Sequence, residues 1–364
     1  MASDEAYFLC VDDESGDRLE PLLERLRRSG VAIRLAAPNP FDKEVTAIRS
    51  SDAAGLLLDL RLDDMPGRKG RVQYHALALA QELRTRMTEG DLRSMPIVLW
   101  SIERKFRKSY SSDTTAHDLF DLVISKTQVS EDPRPIARKL VALATDYPLL
   151  KTSKAKPASF WARILGLESA ARDQLDPRIG AEIRGNAPAH EYARYVIREL
   201  LSRPGPLIDE AVLAVRLGVS RASADWDNAK LQIESAKYSG VFSSGWVRWW
   251  WPVVERELRQ LAPETPFRAI TAIERVDILK RSWGLSRLDA VATPGHGSRF
   301  WHVCAVTYAP LDPVDAVTAE SGERKPWQEA VYISTEAALS RRAAAKGIRV
   351  HPLEEARLEA MTHK

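Results

Sequence analysis

The sequence predicts an α/β protein with a five-stranded parallel sheet at its N-terminus, followed by a mostly helical region and a small α+β C-terminal part. Three observations predict it. Short apolar runs alternate with helical patterns over residues 1–147, as in sheets whose crossovers are helices. Several of those runs end in a polar residue that a buried strand has no structural reason to favour. Beyond Tyr147 the alternation gives way to helical periodicity.

Taken in order, Tyr7–Val11 reads as a strand. Arg18–Ser29 is an amphipathic helix, with Leu19, Leu22, Leu23 and Leu26 on one stripe and Gly30 as its stop. Val31–Leu35 is a second strand, Phe41–Ser50 a short helix, and Gly55–Asp59 a third strand. Arg71–Thr88 is a long helix, Pro96–Trp100 the fourth strand, and Thr114–Phe120 a short helix. Leu122–Ser125 is the fifth strand, closed by a helix over Arg134–Asp146. Five strands and five helices in strict alternation make a flavodoxin-like count. Residues 148–159, with two prolines and three lysines nearby in YPLLKTSKAKPAS, read as a linker.

Helices are expected next over Phe160–Leu175, His190–Ser202, Asp209–Leu217, Trp226–Ala236, Val253–Leu261 and Thr271–Trp283. Strands are expected at Phe300–Tyr308, Ala330–Ser334 and Ile348–Val350, with helices at Glu336–Lys346 and Leu353–Met361. The domain division is therefore 1–147, linker 148–159, a helical effector region 160–285, and an α+β part 286–364.

Composition sets bounds on function. A chain of 364 residues suits two or three domains, and 45% hydrophobic with 28% charged residues is an ordinary globular balance. No stretch has the apolar length of a membrane span, and Asp4 and Glu5 are wrong for a signal peptide, so cytoplasmic residence is expected. Two distant cysteines, Cys10 and Cys304, make neither a disulfide framework nor a zinc knuckle. Residues 1–150 hold 22 Lys and Arg against 24 Asp and Glu, and the remainder holds 31 against 26. Neither half has the strongly basic footprint of a nucleic-acid binder.

The chemistry lies at the strand ends. The first strand runs into Asp12 and Asp13 (FLCVDDES), the third into Asp59 (GLLLDLRLDDMPG), the fourth into Ser101 (PIVLWS) and the fifth into Lys126 (DLVISK). In a parallel sheet these ends share one edge. Clustered carboxylates repel unless a cation sits among them, and hard oxygen ligands suit Mg²⁺. A lysine and a small hydroxyl beside them can hold phosphoryl oxygens, which makes a site for moving a phosphoryl group onto an aspartate.

On those four segments, residues 5–147 resemble a response-regulator receiver domain of two-component phosphorelays. The resemblance implies that Asp59 accepts phosphoryl from a histidine kinase. It implies that Asp12 and Asp13 hold Mg²⁺ with Asp59 and the backbone carbonyl of Arg61. Ser101 stands where a hydroxyl senses the phosphoryl group, Lys126 where a lysine pairs with it, and Gly67 at the turn after the acceptor. Glu14 and Ile102 flank the site, and Glu14 is placed to pair with Arg61 across its mouth. Four features depart from the family pattern. Thr127 replaces the proline after the lysine, Val123 replaces the aromatic switch, and Ile102 stands where a small residue is usual. The stretch between Asp59 and Ser101 is longer by about three helical turns.

Beyond residue 159, AVRLGVSRAS within 209–235 has the outline of a helix-turn-helix, with Val219 and Ser220 capping a second helix. Arg216, Ser220, Arg221 and Lys230 are its candidate DNA contacts, opposed by Asp225, Asp227 and Glu234; a helical hairpin that never meets DNA is the competing reading. GWVRWWWPVVE brings Trp246, Trp249, Trp250 and Trp251 together as a core cluster with an interface role. His302 and Cys304 alternate on one strand face, with His296 and Arg299 in the preceding loop, and read as polar residues of a partly buried strand.

These readings imply a signalling protein whose Asp59 accepts phosphoryl with Mg²⁺ and which regulates a C-terminal output region through contacts with a protein partner. A phosphorylation-controlled DNA-binding transcription regulator is one alternative. A pseudo-receiver adaptor subunit of a multi-protein signalling or defence complex is another. A histidine kinase or other phosphodonor is the expected upstream partner, a homodimer is compatible with each reading, and no membrane partner is expected. No enzymatic activity is expected beyond the receiver's own phosphorylation and dephosphorylation.

Overall fold

Two segments, GLLLD and IVLWS, are buried at every residue, as strands covered on both faces must be. In the computed structural model of the chain the described residues are 6–62, 72, 74–102, 116–151, 157–167, 176–181, 187–292, 297–340 and 342–362. Gly67, residues 152–156 of the linker and His296 lie outside them.

Strands β1 (Tyr7–Val11), β2 (Ala32–Ala36), β3 (Gly55–Asp59), β4 (Ile97–Ser101) and β5 (Leu122–Ser125) form one all-parallel sheet in the order β2-β1-β3-β4-β5. That is the flavodoxin-like order, which reverses direction between β1 and β3. Helices α1 (Gly16–Arg28), α2 (Phe41–Ser50), α3 (Ala76–Glu89), α4 (Lys126–Glu131) and α5 (Pro133–Asp146) flank it. Leu19, Leu23 and Leu26 of α1 are fully buried, each worth about 1.5–3 kcal/mol relative to exposure. On the other face Val45, Ile48, Leu79, Leu83 and Phe120 pack with Leu56, Leu58, Ile97 and Leu99. Gly55 opens β3 because a Cβ there would stand 2.4 Å from the Phe8 ring.

One ion pair crosses this core. Arg84 of α3 donates to Asp121 at 2.8 Å, and both side chains are buried. Asp121 also accepts the Ile97 N–H, and the Tyr147 hydroxyl joins the pair at 3.2 Å from each partner. The pair is satisfied on all sides, which a buried charge requires.

The chain divides into two compact units. The first comprises Met1–Gly166, Gly180–Ile197 and Gly240–Trp246. In it, α6 (Pro157–Ile164) and α7 (Ala189–Tyr195) continue past the sheet, and α7 packs on the 3₁₀ turn Tyr147–Leu150. Arg194 of α7 donates to the carbonyl of Asp118 at 2.6 Å. The 240–246 segment is tied to α5, where Asp146 accepts the Phe242 N–H at 2.6 Å.

The second unit, Leu167–Ile179, Arg198–Ser239 and Val247–Lys364, carries α8 (Glu210–Leu217), α9 (Trp226–Gln232), α10 (Trp251–Leu261) and α11 (Ala272–Trp283). Its strands are short pairs: β6 (Leu207–Ile208) with β7 (Trp249–Trp250), β8 (His302–Val303) with β9 (Pro310–Leu311), and β10 (Ala316–Thr318) with β11 (Tyr332–Ser334). Helices α12 (Thr335–Leu339), α13 (Arg342–Ala345) and α14 (Pro352–Thr362) follow. Among the described residues, no helix is long and apolar enough to cross a membrane.

Several elements differ from expectation for local reasons. Helix α3 starts at Ala76 rather than residue 71, because His75 is extended and bridges Arg61. The strand expected over Phe300–Tyr308 stops at Val303: the chain turns at Cys304, whose carbonyl accepts the Tyr308 N–H. Residues 348–350 contribute one bridge, Ala319 to Val350, and no strand. The helix of 226–236 ends at Gln232 and continues as a 3₁₀ turn. The helix-turn-helix turn is not formed. Gly218 ends α8, residues 218–220 pair with 289–291 as an extended bridge, and α9 begins only at Trp226.

Candidate functional site

The sheet register assembles the site. Val11 pairs with Leu58, Asp59 with Trp100, and Ser101 with Ser125. Asp12, Asp59, Ser101 and Lys126 therefore emerge at one edge, beside the reversal between β1 and β3 where open α/β sheets bind ligands. The structure brings together the residues that the sequence places at strand ends.

Lys126 is the hub. Its Nζ lies 2.8 Å from Asp12 Oδ2, 3.1 Å from Asp59 Oδ1 and 3.4 Å from Glu14 Oε2. Asp59 Oδ2 accepts the Arg61 N–H at 3.1 Å, and Asp12 Oδ1 accepts the Glu14 N–H at 3.0 Å. Asp12, Asp59 and Lys126 are all buried. Glu14 thus turns its carboxylate to Lys126, with Arg18 at 4.0 Å on its other side.

Burial sets the protonation energetics. Loss of water, then the neighbouring Asp12 charge, push the Asp59 carboxyl up to about 6, against the opposing pull of Lys126 and the Arg61 N–H. At neutral pH it is still an anion, and a more basic one than a solvated carboxylate. For Lys126 burial acts to lower the pKa, but Asp59 and Asp12 more than reverse this and hold the ammonium charged.

The side chains fit a hard divalent cation. Asp12, Asp13 and Asp59 each offer an oxygen, and the three atoms lie within 4.8 Å of one another. An all-oxygen carboxylate set is the chemistry of a Mg²⁺ site. Ser101 Oγ is fully buried at the same edge and has no hydrogen-bond partner among the described residues, so it carries bonding capacity for a group entering the site.

The departures have local consequences. Lys126 opens α4 directly, because Ser125 caps it: Ser125 Oγ accepts the Thr127 N–H and Gln128 takes the Ser125 N–H. Val123 packs against the core beside β4. Ile102 is 43% exposed at the edge, next to Ser101. Sequence reasoning missed Trp100, which reads as the apolar end of a strand. It is fully buried and its indole N–H donates to Asp12 Oδ2 at 2.9 Å. The signal was available, since a buried indole needs an acceptor.

In the second unit, the candidate DNA contacts are dispersed. Arg216 is buried between Trp251 and Trp301, with its carbon centre 4.7 and 5.4 Å from their rings, and pairs with Glu329. Lys230 is held by Glu210 and Asp227, both at 2.9 Å. Arg221 is exposed and Ser220 half-buried. Trp249 and Trp250 are buried in β7, and Trp251 stands edge-on to Trp301. Trp246 is buried in the first unit, with Lys139 over its ring. His302 is half-buried against Tyr332, and burial followed by the Arg216 charge brings it down to about 4. Cys304 is buried.

No protein-family model matches the chain, and no curated protein matches it. Solved structures similar to its N-terminal two-fifths are response-regulator receiver domains; the rest has no recognised family. A mutant of RitR shares 13% identity with a TM-score of 0.30, over 42% of this chain and 59% of that one. This chain thus spans about three-fifths of the RitR length. A chain of the complex between histidine kinase ThkA and response regulator TrrA shares 22% identity at a TM-score of 0.27, over 38% and 99%. A putative response regulator from Chloroflexus aurantiacus shares 16% at 0.26, over 36% and 98%. The fold itself rests on the strand order described above.

Proposed function

We propose that this chain is a two-component signalling protein whose Asp59 accepts a phosphoryl group with Mg²⁺ and thereby regulates the second unit, which acts through contacts with a protein partner. The observation that carries the reading is the edge cluster of Asp12, Asp13, Asp59, Ser101 and Lys126.

An oxygen of Asp59 attacks the phosphorus of a phosphohistidine donor. The bond from phosphorus to the imidazole nitrogen breaks, and its electron pair leaves with that nitrogen; an acyl phosphate on Asp59 results. Lys126, already 3.1 Å from Asp59, balances the charge on the arriving phosphoryl oxygens. Ser101 Oγ donates to one of them. Mg²⁺, when bound by Asp12, Asp13, Asp59 and the Arg61 carbonyl, supplies further charge neutralisation. A protein partner is favoured over DNA because Arg216 and Lys230 of the second unit are committed to internal carboxylates.

The test is incubation of the full chain with acetyl phosphate or beryllofluoride and Mg²⁺, beside Asp59→Asn, read by intact mass for the phosphoryl adduct and by fluorine NMR for beryllofluoride. Modification that depends on Asp59 and Mg²⁺ supports the reading. Its absence with these probes and with a panel of histidine-kinase donors overturns it.

A further inference from the structure

We infer that Trp100 is a positioning residue that sets how tightly the edge carboxylates take a divalent cation. The inference rests on the cation-dependent reading above and goes beyond it by assigning a role to a side chain outside the carboxylate, hydroxyl and ammonium set.

An ionised carboxylate has about four acceptor sites, two on each oxygen. Both sites of Oδ2 are taken, one by the Trp100 indole N–H at 2.9 Å and one by Lys126 Nζ at 2.8 Å. Oδ1 receives the Glu14 N–H at 3.0 Å. An entering cation meets an Asp12 with little free capacity, and must displace a donor or use what remains on Oδ1.

The two donors on Oδ2 differ in how readily they leave. Lys126 sits on a flexible four-carbon stem with three donors, and Asp59 and Glu14 stand ready to receive it at 3.1 and 3.4 Å. Trp100 has no such freedom. It is fully enclosed in a strand buried at every residue, and its backbone is in register with Asp59. Its N–H stays on Asp12 whatever Lys126 does. The ring also lies beneath the ammonium, 5.1 Å from Nζ to its centre, which favours Lys126 in the cluster. Trp100 therefore acts twice in one direction: it draws charge from Asp12 and retains the internal cation that competes with an external one.

The sign of the effect separates this role from a structural one. Removing the N–H while keeping a ring at position 100 leaves a buried carboxylate lone pair without a donor, and a cation is the group that gains from it. Affinity should rise. If Trp100 merely held Asp12 in place, its loss would loosen a ligand and affinity would fall.

Mg²⁺ and Mn²⁺ are titrated calorimetrically into the full-length wild type, Trp100→Phe and Asp59→Asn. Trp100→Phe is expected to bind Mg²⁺ about tenfold more tightly, the scale of one hydrogen bond to a charged group. Benzothienylalanine incorporated at position 100, which keeps the indole shape without the N–H, should reproduce the gain if the phenyl variant packs poorly. In wild type labelled at indole nitrogen, the signal lost in Trp100→Phe should remain protected from exchange when Mg²⁺ saturates the site. Equal or weaker Mg²⁺ binding in both N–H-free proteins overturns the inference and leaves the cation site standing if wild type binds. Binding in an N–H-free protein alone supports it, and binding in none of them overturns both the inference and the cation site.

Discussion

Lys126 Nζ stands 3.1 Å from Asp59 and 2.8 Å from Asp12, so one ammonium is shared by two buried carboxylates at the ends of neighbouring strands. Lys126→Met would leave those anions side by side. Breaking a buried pair costs about 3–5 kcal/mol, and a cation that binds the folded state restores stability by mass action. Denaturant unfolding of Lys126→Met is expected to show a large loss in EDTA and a much smaller one in excess Mg²⁺. The same loss in both conditions would count against a cation site at this edge.

The Arg84–Asp121 pair predicts an asymmetric mutant cycle. Asp121→Asn and Arg84→Met should each destabilise the first unit by about 3 kcal/mol, because each leaves a buried charge without its partner. Arg84→Met with Asp121→Asn should cost clearly less than the sum of the two single losses. Chemical denaturation of the set measures the coupling; strict additivity would show that the two side chains do not act as a pair.

His190 predicts acid sensitivity. Burial, then the charges of Arg84 and Arg194, bring it down from 6.5 to about 3. Between those values the unfolded chain binds a proton that the folded chain does not, so stability falls as pH falls from about 6.5 towards 3. At pH 5 the loss is about 2 kcal/mol. His190→Phe should remove that portion of the pH dependence in melting curves taken between pH 7 and pH 4, and an unchanged slope would exclude His190 as its source.

Gly218 predicts a local packing failure. Its φ is +77°, and a Cβ there would meet the Ala272 carbonyl oxygen at 2.8 Å. Gly218→Ala therefore combines backbone strain of about 1–3 kcal/mol with a collision between α8 and α11. A drop in melting temperature is expected, and Gly218→Ala with wild-type stability would contradict the close approach.

The first unit was legible because its signals are local. GLLL and IVLW are continuous apolar runs, and strands of a covered parallel sheet are written that way. Asp12, Asp59, Ser101 and Lys126 stood out as polar residues directly after such runs. What stayed hidden depends on distant partners. The extended bridge at 218–220 needs residues 289–291 to form, so AVRLGVSRAS kept the outline of a motif it does not build. Two-residue strands such as His302–Val303 are too short for periodicity to show. Trp100 matched the apolar pattern so well that its one polar atom went unread.

The way α7 and the 240–246 segment pack into the first unit bears on how the protein can be cut. A fragment that stops at residue 151 would keep all five strands but lack the helix over Tyr147–Leu150 and the partner of Asp146. The uncovered apolar ground around Tyr147 and Leu150 would favour self-association, and the edge residues near Asp118 would lose the clamp of Arg194. Phosphotransfer rates taken on such an excised piece would describe a molecule with altered neighbours around its sheet. Fragments meant to report on Asp59 should retain the chain through residue 246.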